Sequence, residues 1–190
     1  MTPKTLFPLS SHFGMGYPTQ RFIHRDDAKQ FLIFAAGAGI RVGQSDAAAG
    51  WAFSHNPTMI VSGRLEKEQT SNRAELRAVI GALRYANWRY DGFDTIVIAT
   101  DSEYVVEGAT QWLGIWARSN WRTSVGTTVR NKDLWQMFCG EINRWGEDDV
   151  LVKFWRIPSE QNIKTFQEAL RQAHESYVPL EFYDFMALRP

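Results

Sequence analysis

The 190-residue chain has one cysteine, Cys139, which leaves no second thiol for an internal disulfide and no multi-cysteine metal site. It also lacks an excess of either charge, with 21 Lys plus Arg against 21 Asp plus Glu. The whole-molecule field therefore does not draw in polyanions, and any nucleic-acid contact has to be a local patch. No apolar run reaches the roughly 18 residues that a membrane span needs. The opening MTPKTLFPLSSHFGMGYPTQ has no unbroken hydrophobic stretch behind a positive end, so it does not read as a secretory signal. The expectation is a soluble intracellular protein, cytoplasmic or nuclear, with no membrane partner. The four histidines, His12, His24, His55 and His174, have no ligand spacing to one another and read as structural or exposed. Cys139, beside Met137-Phe138, reads as an inert buried thiol.

What the chain does have is apolar and aromatic surface: 44% hydrophobic residues and 14% aromatics, including 8 Trp and 12 Phe, which excludes a disordered chain. The length suits one domain. Residues 1–30 show no period and read as an N-terminal arm packed on a domain of residues 31–176. Phe31 to Phe34 form a short apolar strand that Ala35-Ala36-Gly37 should end in a turn. Segments 50–55 and 58–65 flank Asn56-Pro57 and read as an antiparallel pair. Leu76, Val79, Ile80 and Leu83 recur at helical spacing within 73–90. TIVIAT (95–100) reads as a strand buried on both faces. Helices at 103–116 and 132–145, a strand at 149–155 and a helix at 163–176 complete a βββαβ, helix pair, βα order. That order predicts a five-stranded mixed α/β sheet flanked by helices, with three antiparallel strands and then parallel units. The aromatic tail, 177–190, reads as a strap on the core or a dock for a protein partner.

In an open α/β sheet ligands gather at the carboxyl ends of strands. Asp101 stands directly after TIVIAT, where a carboxylate is a hard oxygen ligand for a divalent ion, and Glu75 opens a helix. Both residues also suit plain structural roles: Glu in a helix's first turn complements its dipole, and Asp101-Ser102 can cap the helix that follows. Composition and spacing leave the two readings open.

Longer strings carry more. QTSNRAEL (69–76) and IATDSEYVVEGATQWL (98–113) resemble the two central motifs of the type 1 ribonuclease H family. NWRTSVGTTVRNKDLW (120–135) is similar to its Trp-rich substrate-binding segment, and FWRIPSEQN (154–162) to the last strand and loop of fungal members. FLIFAAGAG (31–39) stands where the family has an apolar strand ending Thr-Asp-Gly-Ala. The resemblance runs over about 21–176 and implies an RNase H-like fold. It also implies an endonuclease that cuts the RNA of RNA–DNA hybrids, with four carboxylates holding two Mg²⁺ ions.

Residue by residue, Glu75 and Asp101 match two of those carboxylates, whereas the other two positions fall on Ala36 and Phe166. A methyl and a phenyl group cannot ligate a hard cation, so Glu75 and Asp101 should hold one ion weakly at best. The Gly-His-x-Gly loop signature is also missing. Asp46, Glu103 and Glu168 are the acids near enough in sequence to stand in. The resemblance further implies nucleic-acid contacts by Ser71, Asn72, Arg73 and Asn162. Segment 116–135 supplies Arg118, Trp121, Arg122 and Arg130, cations interleaved with aromatics.

The expectation is a pseudonuclease that retains binding to RNA–DNA hybrid, duplex or protein. It needs no cofactor, and Mg²⁺ or Mn²⁺ enters only with residual activity. The rival expectations are a weak nuclease with relocated ligands, a cleft around Ala36, Glu75, Asp101 and Phe166 turned to small-molecule chemistry, and a purely structural module. Trp112 and Trp135 read as core, Trp121 as surface.

Overall fold

A computed structural model describes residues 1–14 and 16–176. The chain opens with a helical turn, α1 (Pro3–Leu6), capped by the Thr2 side chain. A hairpin follows, β1 (Leu9–Gly14) and β2 (Tyr17–His24), and then the long strand β3 (Asp27–Ile40). β4 (Ala48–Ser54) and β5 (Ile60–Arg64) come next, then helix α2 (Ser71–Arg84) and β6 (Thr95–Thr100). One further helical run comprises α3 (Glu103–Glu107), a π-helical turn at Gly108–Trp112 and α4 (Leu113–Arg118). Last come α5 (Lys132–Glu147), β7 (Leu151–Arg156) and α6 (Ile163–Ala173).

Strands β3 to β7 are the five expected from the sequence, with β4 antiparallel to β3 and β5, and β6 parallel to β3 and β7. Among the described residues the sheet nevertheless has seven strands, because residues 1–30 pair into it. Phe31 and Leu32 face β2 and β6 at once, while Phe34 faces β4 and β6. β2 and β4 therefore share one edge of β3, β2 along its first half and β4 along its second.

The expected turn at Ala35-Ala36-Gly37 is corrected by the pairing of Ala36 with Ala52 and Gly37 with Trp51, which carries β3 on to Ile40. Small residues here serve close packing. A Cβ on Gly37 would collide with the backbone at Ala74 and Glu75, and one on Gly50 with the backbone of α6. Gly37 and Gly39 are thus strand residues that let helices seat on the sheet.

The two faces of the sheet bury different side chains. Phe31, Ile33, Ala35, Ile96 and Ile98 lie in one cluster with Leu76, Val79, Ile80 and Leu83 of α2 and Trp135, Phe138 and Trp145 of α5. On the other face, Phe7, Leu32, Phe34, Val97 and Ile157 form a second cluster. An alanine patch of Ala36, Ala38, Ala52 and Ala169 continues it beneath α6. α2 starts where the Thr70 side chain accepts from the Arg73 amide at 3.4 Å. It is clamped to α5 by Glu141, which accepts from Arg84 at 2.6 Å and from Arg144 at 2.7 Å. Among the described residues, no helix is long and apolar enough to cross a membrane. Residues 177–190 lie outside the described residues.

Candidate functional site

The site is built from the carboxyl end of β6, the start of α2 and the start of α6. Gly37 admits the α2 backbone against β3, and this brings Glu75 to Asp101. Glu75 is largely buried. Its Oε2 accepts from the Ser102 hydroxyl at 2.5 Å, and burial together with the neighbouring Asp101 charge pushes its carboxyl above the usual range. Ser102 also caps α3 by accepting from the Val105 amide at 3.2 Å, so one hydroxyl ties the helix start to the acid. Asn162 is 2% exposed. Its Nδ2 donates to the Ala35 carbonyl at 2.9 Å and to Asp101 Oδ1 at 3.1 Å, bridging β3, β6 and the start of α6. Its own Oδ1 is buried without a partner among the described residues.

The two remaining positions face the same end of the sheet in different ways. Ala36 is 1% exposed and packs its methyl into the alanine patch under α6. Phe166 lies in the first turn of α6 and is 39% exposed, so it stands at the surface and does not fill the protein interior. The three acids nearby in sequence are tied elsewhere. Asp46 pairs with Arg41 at 2.8 Å and Glu103 with Arg156 at 2.9 Å. Glu168 pairs with Arg171 at 2.8 Å and accepts from Ser62 at 2.5 Å, contacts that hold its carboxyl at about 2. Among the described residues, no three His, Cys, Asp or Glu side chains gather as a metal-ligand group.

The expected nucleic-acid residues divide into two sets. Ser71 and Asn72 sit half-buried at the start of α2. Arg73 is 6% exposed, and its guanidinium grips both oxygens of Asp133 at 2.8 and 2.6 Å, joining α2 to α5. That fork is committed inside the protein. Arg118, Arg122 and Arg130 are exposed. Arg122 donates to the Gly126 carbonyl at 2.8 Å and so closes a small loop whose Arg122 and Thr128 pair as an isolated bridge. Asn120 and Trp121 both take positive φ, 51° and 59°, turning the chain sharply out of α4. Trp121 and Trp116 are half-buried and pack against the core, Trp112 is half-buried against Trp116, and Trp135 is fully buried.

Sequence reasoning passed over the residue that holds this loop in place. The Tyr104 hydroxyl accepts from Trp135 Nε1 at 2.8 Å and from Asn131 Nδ2 at 3.1 Å, and donates to the Arg130 carbonyl at 3.4 Å. Its signal was present, since Tyr104 lies inside the string 98–113 already singled out.

The RNase H family model matches residues 28–145, which is most of this framework. The chain belongs to the RNase H family. The chain is 38% identical over 99 residues to Ribonuclease HI of Xylella fastidiosa, a match covering 50% of this chain and 62% of that protein. It is 37% identical over 102 residues to Ribonuclease H of Treponema pallidum, covering 46% of this chain and 59% of that one. The matches thus span about three-fifths of the length of these relatives. Among solved structures, LC9-RNase H1, a type 1 RNase H with the type 2 active-site motif, superposes with a TM-score of 0.53 at 26% identity, covering 76% of this chain and 72% of that chain. The foamy viral protease-reverse transcriptase in complex with RNA/DNA hybrid superposes with a TM-score of 0.61 at 16% identity, covering 75% of this chain and 20% of that one, a likeness of fold.

The residues present do not fit the pair of divalent ions that the RNase H family implies. A pair needs several carboxylates to offset its charge and fix its spacing. Among the described residues this end of the sheet offers two, each already accepting a hydrogen bond, and one neutral amide oxygen on Asn162.

Proposed function

We propose that this RNase H-family chain is a pseudonuclease: it binds RNA–DNA hybrid or duplex without cutting it. The observation that carries this reading is Ala36, whose methyl is packed with Ala52 and Ala169 where the family resemblance places a ligating Asp. A carboxylate brought there from another element would have to displace that alanine contact. The separate loss at Phe166 leaves Glu75 and Asp101 without the other half of the cage. The likeness of 154–162 to fungal members rests on those residues alone.

Binding, in this reading, falls to Arg118, Arg122 and Arg130 on the segment that follows α3, with Ser71 and Asn72 at the start of α2 in the role the resemblance gives them. Arg73 acts from behind, holding α2 against α5 through Asp133, and Asn162 orients Asp101. With the total charge balanced, binding is weak and its electrostatic part is confined to this patch.

The test is fluorescence anisotropy with a labelled RNA–DNA hybrid across a salt series. Affinity should fall linearly on a log–log plot. Replacing the three arginines with Ala should flatten the slope by about 2 to 3, close to 0.9 per lost phosphate contact. A parent chain that binds nothing at low salt would overturn the reading.

A further inference from the structure

At the end of α2 remote from Glu75, a cavity of about 440 Å³ lies between β2, the turn from β4 to β5 and the residues that follow α2. That volume is in the range of small-molecule sites, and Tyr85 stands ten residues along the chain from Glu75, about 15 Å at 1.5 Å per helical residue. Its floor is charged, polar and aromatic at once. Arg21 and Asp91 pair there at 2.9 Å with side chains 10% and 5% exposed, and Trp88 and His55 are buried beside them. The Asn56 Oδ1 accepts from the Met59 amide at 2.7 Å, the Thr58 amide at 3.0 Å and the Thr58 hydroxyl at 3.1 Å, which fixes the orientation of that side-chain amide. Its Nδ2 therefore faces His55 Nδ1 at 3.4 Å and donates to it, so the ring proton sits on Nε2. Among the described residues, neither this buried Nε2–H nor the buried Arg21 Nε–H has an acceptor.

We propose that this cavity binds a single nucleobase of the lactam type, a planar ring with a carbonyl beside a ring N–H, as in uracil and hypoxanthine. The charges of Arg21 and Asp91 cancel, and burial keeps His55 neutral at pH 7, so the floor suits a neutral ligand better than a phosphate or an ammonium group. One carbonyl oxygen, with two lone pairs, serves both buried donors; a ring nitrogen has one lone pair and serves one. The Asp91 carboxylate then accepts from the neighbouring ring N–H. Tyr85, half-buried at the rim, and Trp88 below it supply aromatic faces for the ring. Cytosine has a carbonyl but turns a ring-nitrogen lone pair toward the carboxylate, and adenine has no carbonyl. The site is separate from the arginine segment, and the proposal does not rest on hybrid binding there.

Isothermal calorimetry on the full chain tests this with uridine, cytidine and 3-methyluridine, which keeps the uracil ring but carries a methyl in place of the N–H. Uridine should bind roughly tenfold more tightly than either, since the others set a lone pair or a methyl against Asp91. That comparison needs no variant. His55→Phe keeps a ring and removes the donor, and should weaken uridine about tenfold. Ala86→Trp, placed at the half-buried rim, should fill the cavity and abolish binding, with thermal melting confirming that both variants are folded. An RNA strand of adenosines with one uridine separates the two sources of the base. Tighter binding than free uridine, lost in Ala86→Trp, marks an unpaired base of a strand; no gain over free uridine marks a free nucleoside. Absence of uridine binding would overturn the proposal, and so would equal binding of 3-methyluridine or uridine binding that survives in both variants.

Discussion

Burial and the charge of Asp101 push the Glu75 carboxyl above its ordinary value. A raised carboxyl pKa means the folded state holds its proton more tightly than the unfolded one. That contribution is complete below the unfolded value and is lost as pH rises through the folded value. Glu75→Gln should therefore raise Tm at pH 7, with the gain vanishing in acid. Thermal melting at two pH values checks this, and an unchanged Tm at pH 7 would count against it. His55 shifts the other way. It is 3% exposed, packed against the tilted rings of Tyr85 and Trp88, and burial with the nearby Arg21 charge lowers it to about 4 from 6.5. The unfolded chain takes up this proton first, so stability should begin to fall below about pH 6.5 and lose on the order of 3 kcal/mol by pH 4. Urea unfolding of the parent and of His55→Gln across that window should show a markedly smaller acid loss in the variant.

At the scale of elements, the π-helical turn between α3 and α4 opens on a glycine packed against an indole. A Cβ on Gly108 would collide with the Trp135 indole, which is fully buried and hydrogen-bonded to Tyr104. Gly108→Ala should cost about 1 to 3 kcal/mol by overpacking, read as a lower denaturation midpoint; an unchanged midpoint would show that the turn has room. Elements of this kind were legible to different degrees. α2, β6 and α5 announced themselves because their apolar periods match their burial. The hairpin of β1 and β2 did not, because its pattern is inverted: Leu9 and Phe13 point outward while Arg21 is buried. Beside the apolar contacts of Phe22 and Ile23, its inward contacts include a polar set, Arg21 pairing with Asp91 at 2.9 Å and His12 Nε2 meeting the Asp91 carbonyl at 2.5 Å. Asp91 lies about 70 residues further along the chain, and no local pattern encodes that distance. β3 was cut short in the sequence reading for a related reason. Gly37 and Gly39 signal a turn locally, and only the approach of α2 explains them as strand residues.

For the molecule as a whole, the family resemblance located Glu75, Asp101, Ala36 and Phe166, and the structure adds how each is held. Phe166 stands at the surface, so the alanine-packed site at Ala36 is the deeper obstacle to a metal cage. Placing Asp there without cations would bury a charge among methyl groups. In the proposed reading the binding arginines stand on the segment that follows α3, whereas Ala36 and Asp101 stand toward the ends of β3 and β6. Loss of the metal cage therefore leaves the arginines standing. The most direct test of this account is a cleavage assay of the full chain with an RNA–DNA hybrid in Mg²⁺ and in Mn²⁺, with Asp101→Asn in parallel. The account predicts hybrid that is bound but uncut by both proteins; RNA-strand cleavage by the parent that Asp101→Asn abolishes would contradict it.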